Sequence, residues 1–222
     1  MDDDLIELTS SCYEADSPAV TLMLPSAYPP LDQQNALAKE IAHQGMATCF
    51  SHVFSDLFLP KANKSFQKIP ATSMLKLIDM ISKQTNKPVF LVTQGRGAQT
   101  GFRIARVAME TSNQSLRGLI LFSPNLLDGS PDAGMDFKYI DEAYKKSIPS
   151  FIFQSERSPH HWHLDRLLGV MKNANTRVYA KRLPGVRDGY SLRNNLTEEE
   201  RALRKSNAKL LMHAIKTLSE KR

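Results

Sequence analysis

Between Pro88 and Gly101 the chain runs without a break from a short apolar stretch through a glycine turn into an amphipathic segment (P-V-F-L-V-T-Q-G-R-G-A-Q-T-G). Val89–Thr93 is apolar on both parities. A strand has that pattern when both faces of its sheet are covered, as in a parallel sheet wrapped by helices. Gly95 and Gly97 bracket Arg96, and glycine tolerates the positive φ that a sharp turn demands. Ala98–Thr111 then carries Phe102, Ala105, Ala108 and Met109 at helical spacing.

The rest of the chain repeats the alternation. Strands are expected at Leu5–Thr9, Val20–Leu24, Ala47–Phe54, Val89–Thr93, Gly118–Phe122, Ser150–Gln154 and Arg177–Arg182. Helices are expected at Asp32–Gln44, which stops at Gly45, and at Ser73–Gln84, Ala98–Thr111 and His161–Asn173. A last helix opens on the capping box Thr197-Glu198-Glu199-Glu200 and presents Leu203, Leu211, Ala214, Ile215 and Leu218. A short helix is expected near Asp136–Lys146. The pattern argues an α/β fold of three layers, a doubly wound, mostly parallel sheet, as one domain over residues 1–222.

Composition narrows the function. Net charge is +6, but the basic residues are scattered. The densest groups, Lys61/Lys64/Lys68 and Lys216/Lys221/Arg222, read as solvated faces, so no nucleic-acid partner is expected. No run of 18 apolar residues predicts a membrane span, and no signal peptide is visible. The expectation is a cytoplasmic protein as written, or a periplasmic or exported one if a leader was removed before Met1. Cys12 and Cys49 have no metal spacing. They are apolar fillers in a reducing compartment and a plausible disulfide in an oxidising one.

Several segments, in order, resemble the α/β-hydrolase fold family over roughly residues 5 to 220. Thr93-Gln94-Gly95-Arg96-Gly97 resembles the nucleophile elbow G-x-S-x-G. Val20–Leu24 with Pro25-Ser26 resembles the strand and oxyanion loop. Ile148–Phe153 resembles the strand before the acid loop. Leu183-Pro184-Gly185-Val186-Arg187-Asp188-Gly189-Tyr190 resembles the segment that presents the catalytic histidine. The stretch after Phe122, where a lid usually lies, is short enough to predict no large lid. The resemblance implies a nucleophile at Gly95, an acid at Ser158 and a histidine at Asp188, and none of those residue types suits its role. A triad works as a unit, so the resemblance implies a pseudoenzyme.

The expected function is therefore an inactive α/β-hydrolase homologue that binds a protein partner or a small anionic ligand, without a cofactor. Gly95-Arg96-Gly97 at a helix N-terminus is the candidate anion cradle. Ser26, Arg187, His160, His161 and His163 are further candidate ligand-binding residues, and no metal is expected. Two alternatives remain. One is a divergent serine esterase using Ser123 or Ser155 with the His160–His163 cluster. The other is a structural subunit of a larger assembly. Asp188 is expected near Gly95 and Ser158, paired with Arg96 or Arg187.

Overall fold

The structure, a computed structural model, describes residues 6–129 and 136–220. Leu5 of the first expected strand, Lys221 and Arg222 of the basic tail, and part of the stretch after Phe122 lie outside the described residues. Seven strands form one sheet: β1 (Ser10–Tyr13), β2 (Val20–Met23), β3 (Thr48–Ser51), β4 (Val89–Gln94), β5 (Leu116–Phe122), β6 (Ser150–Arg157) and β7 (Val178–Arg187). Their spatial order is β1-β3-β2-β4-β5-β6-β7. β1 runs antiparallel to β3, and the other neighbours are parallel.

The helices are α1 (Leu31–His43), α2 (Val53–Asp56), α3 (Ala71–Thr85), α4 (Gly97–Glu110), α5 (Leu164–Asn173), α6 (Glu198–Arg204) and α7 (Asn207–Ser219). The period-two alternation of strand side chains divides the core into two layers. Val89, Leu91, Leu119, Leu121 and Ile152 pack with Met74, Ile78, Phe102, Ala105 and Leu167 from α3, α4 and α5. Phe90, Val92, Ile120, Phe151 and Phe153 pack with Leu37, Ile41, Leu211, Ala214 and Ile215 from α1 and α7. Two covered faces explain why the central strands read as continuous apolar runs.

Five expectations need correction. The first strand is Ser10–Tyr13, not Leu5–Thr9. An edge strand is held by backbone pairing and needs no apolar run, whereas Leu8 is buried as core without being strand. The apolar stretch Ala47–Phe54 is strand only to Ser51, and Val53–Asp56 is a helical turn. His161–His163 is a 3-10 turn ahead of α5, and near Asp136–Lys146 the structure has only the 3-10 turn Asp141–Tyr144. The last helix is two helices, because the chain turns at Lys205-Ser206 between α6 and α7. Its capping box forms as expected, with Thr197 and Glu200 capping each other's backbone N–H.

Register pairs Cys12 of β1 directly with Cys49 of β3, and the two form a disulfide with Cα atoms 4.0 Å apart. The bridge closes an antiparallel pair at the sheet edge, where the ladder has a partner on one side only.

Candidate functional site

The carboxyl ends of β2, β4, β5, β6 and β7 converge on the turn between β4 and α4. Gly95 occupies that turn with φ +54°, the left-handed region that any other L-residue enters at a cost. The turn is tied to the end of β5 and to the loop that follows it. Gly95 N–H donates to Phe122 O at 3.1 Å, and Asn125 N–H donates to Gly95 O at 2.9 Å. A Cβ built on Gly95 would meet nothing within 4 Å, so the space above the elbow is open.

The anion cradle expected at Gly95-Arg96-Gly97 is partly closed. Ala98 N–H donates to Gly95 O and Gln99 N–H to Arg96 O, so two N–H groups of the first turn are engaged within the turn itself. The Arg96 guanidinium donates to Gly129 O at 2.9 Å, reaching across to the loop after β5.

One wall of the site is the loop after β2, and α1 holds it through a buried glutamine. Gln34 Oε1 accepts from Ser26 N–H at 2.7 Å. Its Nε2 donates to Ser26 O at 3.0 Å and to Pro29 O at 2.8 Å. The Ser26 N–H, on the loop that resembles an oxyanion loop, is therefore already paired. Nothing in the sequence signals this clamp: a glutamine in the first turns of an amphipathic helix normally faces water.

The opposite wall is the turn after β7. Gly189 has φ +65°, and a Cβ there would lie 2.7 Å from Nε2 of Gln94, the residue before the elbow. Only glycine lets the Asp188 loop come this close to β4. Burial holds the Asp188 carboxyl above the usual carboxylate range. The Gly189 N–H, the Ser123 hydroxyl and Arg193 face it and pull the other way. Its Oδ1 is buried without a hydrogen-bond partner among the described residues. The Arg193 Nε donates to Asp188 O at 2.9 Å and pins the turn.

Between these walls is a cleft of about 380 Å³ lined by Ser26, Tyr28, Pro29, Gln94, Asp188, Gly189, Leu192 and Arg193. None of these is a histidine. The cleft offers a hydroxyl, an amide, a carboxyl, a guanidinium and an aromatic ring, a set suited to hydrogen-bonded recognition of a small polar molecule. Of the expected site residues, Ser26 and Asp188 line this cleft. Tyr28, Gln94 and Arg193 join them only through the fold.

Arg187 is turned away. Its Nε and a terminal nitrogen donate to Glu200 at 2.8 and 2.5 Å, and its backbone N–H donates to the same carboxylate. The expected Asp188–Arg187 pair is thus replaced by Arg187–Glu200. Ser158 is buried, and its Oγ accepts from His160 N–H at 3.2 Å. Ser123 and Ser155 are both buried, with Ser155 N–H donating to Ser123 Oγ at 3.2 Å.

The three clustered histidines point to different neighbours. His160 is held below its usual range by burial first, then by His163 and Arg96. The His161 ring lies 4.0 Å from that of Trp162, and the His163 ring lies 4.3 Å from that of Phe137. Among the described residues no three His, Cys, Asp or Glu are grouped so as to hold a metal ion.

No family model matches the sequence, and no curated protein matches it. Solved structures do match the fold. An esterase from Rhizomucor miehei aligns over 98% of this chain and 86% of its own, with TM-score 0.68 and 10% identity. A thermostable esterase from Pseudomonas putida aligns over 96% of this chain and 85% of its own, with TM-score 0.65 and 13% identity. A putative dienelactone hydrolase from Klebsiella pneumoniae aligns over 93% of this chain and 91% of its own, with TM-score 0.63 and 12% identity. With its seven-stranded, mostly parallel sheet and the sharp turn at Gly95, the chain has the α/β-hydrolase fold.

Proposed function

We propose that this protein is a non-catalytic member of the α/β-hydrolase fold, acting as a single unit that binds a small polar ligand or a protein partner at the cleft beside the elbow. One observation carries the reading: the turn after β4 holds the φ of a nucleophile elbow at Gly95, a residue with no side chain to attack a carbonyl carbon. Loss of the nucleophile leaves at most the effects of binding and charge, on the order of 10³-fold over water. The pairing of Ser26 N–H with Gln34 supports the reading, since an oxyanion donor must be unpaired to stabilise developing charge. Asp188, where an imidazole would serve as base, is a half-buried carboxyl that faces the cleft wall.

The test is a fluorophosphonate probe together with a short activated ester, on the wild type, on Gly95→Ser and on the triple change Gly95→Ser, Ser158→Asp, Asp188→His. The wild type is expected to take no label and to leave the ester at the buffer rate. Gly95→Ser is expected to stay silent too, because a serine hydroxyl is a weak nucleophile without an adjacent base. Labelling of the wild type at Ser123 or Ser155 would establish the esterase reading instead. Turnover by Gly95→Ser alone would point to His160, the histidine whose charge is felt at Arg96 beside the elbow.

A further inference from the structure

Among the described residues, the three most exposed large hydrophobic side chains are Phe58 at 95%, Trp162 at 79% and Tyr28 at 77%; the next, Ile6, is at 48%. Scattered single exposures are ordinary on a soluble surface, but these three share one edge of the molecule. Tyr28 follows β2, Phe58 follows β3 and Trp162 follows β6. Those strands are parallel to one another through the sheet, so all three rings lie on loops at the carboxyl end, around the elbow.

The Phe58 loop is built to hold its ring out. Phe58 has φ +50°, a conformation unfavourable for a bulky L-residue. The loop leads into a 3-10 turn, Asn63–Lys68, anchored on α4: Thr100 Oγ1 donates to Phe66 O at 2.9 Å, and Arg103 donates to Phe66 O, Gln67 O and Ile69 O. The Phe66 ring lies 3.5 Å from where a Gly97 Cβ would be, which places this segment beside the elbow. Charge follows the same edge. Lys61, Lys64 and Lys68 are exposed, and no acid occurs from Leu57 to Ile78. Of the acids nearest in sequence, Asp56 is engaged by Thr9 at 2.7 and 2.9 Å, Asp79 accepts from Asn113 Nδ2 at 2.7 Å, and Asp165 pairs with Arg182 at 2.9 Å, while Asp32 is exposed in the first turn of α1.

We propose that this edge docks on an anionic phospholipid surface, with Phe58, Trp162 and Tyr28 entering the interfacial layer and Lys61, Lys64 and Lys68 facing the headgroups. Trp162 and Tyr28 carry the polar end that favours that layer, Phe58 adds apolar area to it, and lysines held near a negative bilayer add affinity together. Three protrusions on separate loops can touch a plane at once, whereas a peptide would need a groove connecting them. No helix of the described chain is long and apolar enough to cross a membrane, so the contact is peripheral. Docking would present the cleft beside Tyr28 to the membrane surface.

Trp162 is the sole tryptophan, so its emission reads this edge directly. Vesicles of phosphatidylcholine alone are compared with vesicles containing phosphatidylserine, by Trp162 emission and by co-sedimentation. The anionic vesicles are expected to shift the emission to the blue and to sediment the protein, with binding that weakens as salt rises. Phe58→Ser is expected to weaken binding about tenfold, and Lys61→Gln with Lys64→Gln by about tenfold. Lys172→Gln, at the far end of α5, is expected to change nothing. Binding that ignores vesicle charge, or that survives Phe58→Ser, would overturn the proposal. Competition by soluble glycerophosphoserine would show a headgroup site in place of a surface. An equal emission shift with polyglutamate would show an acidic polypeptide partner instead. None of these readouts depends on ester chemistry, so failure here leaves the cleft reading standing.

Discussion

Two carboxyl groups near the end of β7 have opposite fates. Glu200, at the start of α6, is fully buried and accepts from Arg187 Nε, from an Arg187 terminal nitrogen, from Arg187 N–H and from Thr197 N–H. Those partners, led by the guanidinium, hold its carboxyl down to about 2. Asp188, one residue beyond Arg187, is pushed up by burial and keeps a buried Oδ1 without a partner. The protein thus surrounds one carboxylate with donors and leaves the other short of them. A buried charge with every acceptor site used is structural. A polar group left incomplete beside a cleft is the kind that a ligand can complete.

The largest expected effect breaks the first half of this contrast. Glu200→Gln removes the charge opposite Arg187 and is expected to lower stability by about 3 kcal/mol, read by urea unfolding near neutral pH. A change below ~0.5 kcal/mol would show that the Arg187–Glu200 pair is not structural. Because the folded value lies below the unfolded one, the contribution is complete above the unfolded range. It is lost as pH falls from about 4.3 through about 2. Wild-type stability should therefore drop through that window more steeply than that of Glu200→Gln.

A middle-sized effect tests the facing wall of the cleft. Gln34→Ala removes three hydrogen bonds from the Pro25–Pro29 loop and is expected to cost about 2 kcal/mol. It also unpairs Ser26 N–H, so it sharpens the comparison by leaving both walls incomplete. Faster amide exchange at Ser26, with the β4 amides unchanged, is the expected signature. Unchanged exchange there would mean that the loop is held by something other than Gln34.

The smallest effect has the opposite sign. Asp188→Asn removes a charge that burial disfavours and is expected to raise stability by up to ~1 kcal/mol at neutral pH. The raised folded value means that the folded chain binds the extra proton. The penalty therefore sets in as pH rises past the unfolded range, near ~3.9, and is complete above the folded value. Below that range wild type and variant should converge. A loss of stability in Asp188→Asn at neutral pH would show that the carboxylate has a structural partner after all.

Much of the architecture was legible because it rests on local pattern. The two-parity apolar runs of β4 and β5 require covered faces. Gly95 requires a turn, and Thr197 with Glu200 begins a helix, all through interactions within a few residues. The strand-to-helix turn with positive φ at Gly95 followed from the order of such segments. The edge strand Ser10–Tyr13 was missed because its pairing depends on β3, distant in sequence, and leaves little hydrophobic signature. The single last helix was expected because α6 and α7 share a helical period, while the turn at Lys205-Ser206 is seen only in the packed chain.

The cleft itself was not legible, and the reason is physical. Sequence pattern reports which side chains avoid water; it does not report which distant polar group a buried one will meet. Asp188 was expected to pair with Arg96 or with Arg187, its chain neighbour. The tertiary structure paired Arg187 with Glu200 instead, because α6 folds back over the end of β7 and supplies a carboxylate with correct geometry. Gln34 and Gln94 look like solvent-facing residues, yet one clamps the Ser26 loop and the other packs against Gly189. Local chemistry alone determined the central strands and the positive-φ turn at Gly95. Whether a polar group is satisfied or left open depends on contacts far apart in the chain, and only the folded structure decided that.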